Sequence, residues 1–293
     1  MSCLVPLPAE LQKIANIELG EVPSRIPADL LALKEWIKKQ PHLRSRTDDQ
    51  FLIQFLRGCK YSVEKAKEKI DNYYRLKTKH PDLFFIANID DDTFRRFHNT
   101  NSHAVLPIPL RESGPRILFN RYSYSPYEFS IVDSLRNGSA VNEILHMSDP
   151  YACISGVMYV FDFADAKTPH LTALTPSIII QMIKFFENTS PMRLKGLCIF
   201  NLSSYAHTIT NMLLQYAPMK LKSRLCRLQV LVSFVSWIAA TNMFFQFIKS
   251  NISLILLLRP FQFNWKKYTL AWQYWGWDDA LAYIGARDRS GVT

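Results

Sequence analysis

Two apolar runs in the middle of the chain lack polar alternation: residues 156–163 (GVMYVFDF) and 196–202 (GLCIFNL). A strand of that kind is buried on both faces, as in a parallel sheet covered by helices. Around these runs the spacing turns helical. Pro176 starts a helix with Ile179, Met182, Ile183 and Phe186 on one side. Ser203 and Ser204 are placed to cap another, which carries Tyr205, Ile209, Met212, Leu213 and Tyr216. Pro218 ends it, and MKLKSRL follows as a short amphipathic element with Lys220 and Arg224 one turn apart, and Leu221 and Leu225 likewise. Earlier, Val105-Leu106 and Ile117-Leu118-Phe119 flank a turn at 111–115 and predict two strands. A helix is expected over about 128–147, although Gly138 weakens it. Strands alternating with helices predict βαβ units and a mainly parallel sheet.

The N-terminal part is helical throughout. Residues 9–19 read as a first short helix, and Pro27 opens a second with Leu30, Leu33 and Ile37 on one face before Pro41. Thr47-Asp48-Asp49-Gln50 has the form of a capping box, followed by Phe51, Leu52, Phe55 and Leu56, and Arg57-Gly58 closes that helix. Ser62 caps a longer one carrying Val63, Ala66, Ile70, Tyr73 and Tyr74, whose lysines alternate with Glu64, Glu68 and Asp71 on a solvated face. The predicted class is α/β, with an N-terminal helical bundle over 1–85, an α/β domain over 90–225 and an apolar, aromatic tail over 226–293.

Composition narrows the function. With 293 residues, 48% of them hydrophobic and only 9 glycines, the chain can bury a sizeable core. Its net charge of +10 is concentrated: residues 188–277 hold ten Lys and Arg and no Asp or Glu, while elsewhere 25 basic residues balance 25 acidic ones. Such a field attracts anionic lipid or an acidic partner. Nucleic-acid binding is not expected, because no basic face is interleaved with aromatics in a known reading motif. The five cysteines show no close pairing, and Cys153 and Cys198 lie in apolar strand-like runs, so reduced core thiols and a cytoplasmic setting are expected. The N-terminus has neither a basic start nor a long apolar stretch, so no secretory signal is read there. Seven scattered histidines, and the lack of a P-loop, dinucleotide or nucleophile-elbow motif, predict no metal, no cofactor and no enzymatic activity. Asp162 and Asp165 flank Phe163 and read as helix caps rather than a catalytic pair.

Several blocks together resemble the CRAL-TRIO family of lipid-binding proteins, especially its tocopherol- and retinaldehyde-transfer branch. They are DDQFLIQFLRGCKYSVEKAKEKIDNYY at 48–74, GVMYVFDFADA at 156–166, SPMRLKGLCIFNLSSYAHTI at 190–209 and LKSRL at 221–225. The resemblance spans about residues 10–225. It implies a cytosolic carrier, expected as a monomer, that encloses one hydrophobic ligand of tocopherol, retinoid, phospholipid or other isoprenoid type. By the same resemblance Leu135, Val157, Phe161, Met182, Phe185, Phe186 and Leu197 match pocket positions, with Asn120 and Asn142 as polar contacts. Arg57, Arg193, Lys220 and Arg224 match positions that contact phosphoinositide headgroups at a membrane. With no acidic residue close in sequence, that basic patch is expected to lie unneutralised.

After Leu225 the resemblance stops. Neither a further strand nor the family's segment of the form LPxEYGG is seen, so the domain is expected to lack its usual C-terminal closure. Residues 228–247 are twenty positions without a charge, long enough to span a bilayer although interrupted by Gln229, Asn242 and Gln246. The tail therefore reads as an unusual core-packing or poorly folded segment, as a splice or gene-model artefact foreign to the fold, or as a membrane anchor. The last case makes the chain a tethered or scaffold protein with a degenerate pocket.

Overall fold

A computed structural model describes residues 4–84, 91–106, 109–110 and 113–228. From residue 229 onward, the proposed membrane segment and the rest of the tail lie outside the described residues.

Helix α1 (Ala9–Ile14) runs into a π-helical turn (Ala15–Leu19) that stops at Gly20, which is left-handed. Helices α2 (Ile26–Lys38), α3 (Asp49–Gly58) and α4 (Val63–Lys79) follow and share one core built on Leu30, Leu33, Phe51, Phe55 and Ile70. The cap of α3 is Asp48, one residue later than the sequence pattern implied, and its carboxylate accepts from the Phe51 N–H at 3.1 Å. Gly58 is not a left-handed cap. A Cβ there would stand 2.0 Å from the Pro191 carbonyl oxygen, so only glycine lets α3 approach the loop before the last long strand. The helix is stopped by Lys60 and Tyr61, both at positive φ.

Helices α5 (Pro81–Phe84) and α6 (Asp92–His98) lead to strands β1 (His103–Val105) and β2 (Arg116–Arg121), which pair antiparallel as expected. Helix α7 (Ile131–Ser148) starts three residues later than predicted, because Ser130 and Asp133 form a reciprocal capping box. Helix α8 (Pro150–Ile154) then precedes β3 (Val157–Asp162). Cys153 therefore sits on a helix rather than a strand, and both it and Cys198 are free and buried. Next come α9 (Thr168–Thr172), α10 (Pro176–Lys184), a π-helical turn (Phe185–Thr189) and β4 (Leu194–Phe200). The described chain ends with α11 (Ser204–Leu214), α12 (Met219–Lys222) and β5 (Leu225–Leu228).

One further strand does follow Arg224, which corrects the expectation that none would. It pairs parallel with β4, Leu197 to Leu225 through Phe200 to Leu228. Four residues are too short a run to stand out as a strand beside the long apolar stretch that follows, and only pairing with β4 defines them. The sheet order is β1-β2-β3-β4-β5, with every pair after the first parallel. Each crossover steps the same way, and right-handed crossovers then put α7–α12 on one face. The N-terminal bundle packs against this layer through α3 on α7 and α8.

Candidate functional site

Helix α10 departs from ordinary core packing. Its sequence, PSIIIQMIK, is strongly apolar, yet none of its residues is buried. Ile179, Met182 and Ile183 instead border open space between α10 and the sheet. Two cavities lie there, of about 640 and 710 Å³ with their mouths included. They share Tyr122, Phe161, Met182 and Phe186, so they form one two-lobed space. The first lobe extends under α7 and the π-helical turn, the second under α11 and α12.

The pleat of the sheet makes the floor. Alternation sends Tyr159 and Phe161 of β3, and Leu197 and Ile199 of β4, toward this space. Met158, Val160, Cys198 and Phe200 point the other way into a separate cluster. Of the predicted pocket residues, Leu135, Phe161, Met182, Phe185, Phe186, Asn120 and Asn142 border the first lobe, and Leu197 borders the second. Val157 borders neither. It lies one pleat short of Tyr159, in solid packing with Val141, Leu145, Met192 and Leu194. Sequence reasoning missed Tyr159, Phe163 and Ile199, although a period of two from Phe161 and Leu197 points to each. It also missed His103, for which no local signal exists.

The amide and imidazole groups of the first lobe are hydrogen-bonded. Asn120 donates to the Leu118 and Val160 carbonyls and so turns its oxygen to His103 Nδ1, 2.7 Å away. The other ring nitrogen, Nε2, lies 3.0 Å from the Ser134 carbonyl and 3.2 Å from the Ser134 hydroxyl. Burial holds His103 below its usual range and therefore neutral, against the opposing pull of these hydrogen bonds. Asn142 donates to the Gly138 carbonyl at 2.8 Å and accepts from the Tyr159 phenol. Arg121, also on the wall, is held by Asp165 at 2.7 Å and Asp162 at 3.5 Å. Those two aspartates are thus counter-ions of one arginine rather than helix caps. The cavity presents hydrogen-bonding groups and no uncompensated charge.

The basic residues divide. Arg57 does not belong to a surface patch: its side chain is 5% exposed and its Nε donates to Glu21 at 2.9 Å. Local sequence cannot show this, because Glu21 arrives from two helices earlier. Arg193 and Lys195 both pair with Glu18, at 3.4 and 3.6 Å, Arg193 also donates to the Ile154 carbonyl, and Lys220 pairs with Glu187 at 3.4 Å. The patch is therefore partly neutralised, by acids distant in sequence or just before the acid-free segment. Burial lowers Arg193 below its usual range; Glu18 opposes the shift and Arg224 adds to it. Burial lowers Lys195 too, with Arg193 and Arg224 adding. These three cations therefore crowd one another with one carboxylate between them. Lys69 joins the neighbouring edge, donating to the Ser190 carbonyl at 2.9 Å.

The chain is an α/β protein whose helix-covered, mainly parallel sheet borders an apolar cavity. Residues 115–231 match the family model of the CRAL/TRIO domain, a span that includes β5, and residues 22–94 match that of the Pinta-like, UBA domain. Residues 115–231 are thus a CRAL-TRIO domain. Clavesin-1 of Pongo abelii is 25% identical over 219 residues, 74% of this chain and 61% of that protein. The alpha-tocopherol transfer protein-like protein of Mus musculus is 24% identical over 196 residues, 67% of this chain and 56% of that protein. The chain thus spans roughly 60% of the length of these curated relatives. The crystal structure of Sfh5 superposes with a TM-score of 0.42 at 8% identity, over 76% of this chain and 82% of that one, a likeness that carries no argument. Among the described residues, no helix is long and apolar enough to cross a membrane.

Proposed function

We propose that the protein is a non-enzymatic carrier that holds one hydrophobic molecule in the two-lobed cavity and exchanges it at anionic, phosphoinositide-bearing membranes. The observation that carries this reading is α10, an apolar helix facing open space where a core helix would be packed. An unfilled apolar wall of this size costs stability unless a ligand completes it. Because Arg121 is neutralised and His103 uncharged, a neutral lipid with a hydroxyl or carbonyl fits better than a fatty acid. The name of the mouse relative, which refers to tocopherol transfer, agrees with that class.

The membrane side of the proposal rests on α12 and its surroundings. Lys220 and Met219 project from α12, with Met219 78% exposed and Tyr216 beside it 44% exposed. Arg193, Lys195 and Arg224 lie close by, and such a mixture of cations and exposed apolar groups suits an anionic bilayer surface.

Native mass spectrometry of the purified full chain, with extraction of bound lipid, tests the carrier reading. One neutral lipid per chain is the expected result. A chain that carries no lipid and takes none up from mixed vesicles would refute the proposal.

A further inference from the structure

Outside the lipid cavity, α4 and the outer side of α10 border a second, polar groove. It has an empty volume of about 600 Å³ and opens to solvent. Asn72, Arg75 and Lys79 line it from α4 at helical spacing, and Gln181, Lys184 and Asn188 line it from α10 and the π-helical turn. Three cations thus face one space from two elements, and no Asp or Glu borders it. Lys79 and Lys184 make no ion pair among the described residues. Among the described residues Arg75 is paired within its own helix, to Asp71 at 2.5 Å, and its side chain is 69% exposed. Asp71 is itself shared with His42 at 2.9 Å.

Three nearby features could cancel this positive field, and each is already engaged; Asp71 is divided between Arg75 and His42. The carboxylate of Glu187 is engaged by Lys220. The carbonyls at the end of the π-helical turn, which would repel an anion, are taken up: Lys69 donates to those of Glu187 and Ser190, and the Thr189 hydroxyl to that of Lys184. What remains is a guanidinium fork, two ammonium groups and three amide side chains around an open space. Guanidinium and ammonium groups pair with phosphate oxygens through charge-assisted hydrogen bonds, and neutral amides satisfy the remaining oxygens.

We propose that this groove between α4 and α10 binds a phosphate-bearing anion, either a soluble phosphate ester or the headgroup of a phospholipid. It is a different site from the one formed by Arg193, Lys220 and Arg224. Its residues touch the back of the segment whose front side chains, Met182 and Phe186, wall the lipid cavity. A bound anion bridges α4 to α10 and holds that wall in place. The groove is tested without any hydrophobic ligand, so it and the carrier reading can fail separately.

The experiment uses the full chain and three proteins: wild type, a triple variant (Arg75→Gln, Lys79→Gln, Lys184→Gln) and a comparison variant at two exposed cations at the end of α2, outside both basic sites (Lys38→Gln, Lys39→Gln). Each is titrated calorimetrically at low salt with inositol trisphosphate and with inorganic phosphate. Each is also sedimented with phosphatidylcholine vesicles, with and without phosphatidic acid. The triple variant is expected to lose affinity for inositol trisphosphate by about tenfold or more, while the comparison variant retains it. Binding of the soluble anions identifies a phosphate ester. Vesicle binding lost in the triple variant, with weak soluble binding, identifies a lipid headgroup. Either result upholds the groove. Equal affinities in wild type and triple variant, or no binding of any probe by wild type, overturns it. All three changes are at groove-lining side chains, and an unchanged unfolding midpoint verifies that the variant is folded.

Discussion

Arg57 Nε donates to Glu21 Oε2 at 2.9 Å across 36 positions of sequence, with both side chains almost wholly buried. The Tyr61 hydroxyl donates to the same oxygen at 2.6 Å. Burial by itself would raise the Glu21 carboxyl. Arg57, with Tyr61 and Gln12, outweighs that and holds it below its usual range. Removing one partner strands the other charge in the interior. Arg57→Met is therefore expected to lose about 3–5 kcal/mol of folding stability, read from the urea midpoint, while the folded fraction binds vesicles as before. A variant of normal stability with impaired vesicle binding would put Arg57 back at the membrane.

Val157 and Leu197 separate core from cavity. Val157 is 1% exposed in solid packing, whereas Leu197 is only partly buried and borders the second lobe. Val157→Ala should cost about 1.5–3 kcal/mol of stability and leave uptake of a fluorescent lipid unchanged in the folded protein. Leu197→Trp should do the reverse, keeping the unfolding midpoint and blocking uptake. If the two variants exchanged phenotypes, the cavity assignment would be wrong.

His146 sits among the rings of Phe51, Phe55 and Tyr73, with Glu143, Lys77 and Arg46 nearby. Burial pushes it down from 6.5 to about 4. A base whose folded value is lowered binds fewer protons folded than unfolded, so stability falls as pH drops from 6.5 toward 4. From pH 7 to pH 5 this group alone should remove about 2 kcal/mol. His98, His103 and His170, all lowered first by burial, add in the same direction. Urea unfolding at the two pH values, for wild type and His146→Leu, measures the share. Identical pH dependence in the two proteins would exclude His146 as its source.

Strand β5 makes the C-terminal boundary testable. Ending the chain at Leu225 removes most of the strand that pairs with Leu197–Phe200. A chain ending at residue 231 keeps it. The longer fragment should unfold cooperatively and the shorter one at a lower temperature or without a sharp transition. Equal midpoints would mean that β5 contributes nothing to the fold.

Much of this was legible in the chain. Unalternated runs gave β3 and β4, and proline-led helical spacing gave α10 with Ile179, Met182, Ile183 and Phe186 on its inner side. Most predicted pocket residues reached the cavity because position along a strand or helix fixes which face a side chain takes. Val157 shows the limit of that rule. It shares a face with Tyr159 and Phe161, but the depth at which packing gives way to open space depends on what lies opposite, here Val141 and Leu145 of α7. The short strand β5 shows another limit, since it takes its meaning from β4 alongside.

The sequence by itself determined the α/β class, the order of its elements and the inward faces of the helices, because each follows from periodicity within a few residues. Only the tertiary structure decided the charges. Glu18 lies 175 positions from Arg193, Glu21 lies 36 from Arg57, and Glu187 lies 33 from Lys220. An acid-free segment seemed to leave its cations unopposed, but Coulomb attraction acts through space, and folding brought carboxylates from outside the segment to Arg193, Lys195 and Lys220. Whether an arginine becomes an interior strut, as Arg57 does, or stays at an edge, as Arg224 does, depends on burial and partners that no local pattern encodes.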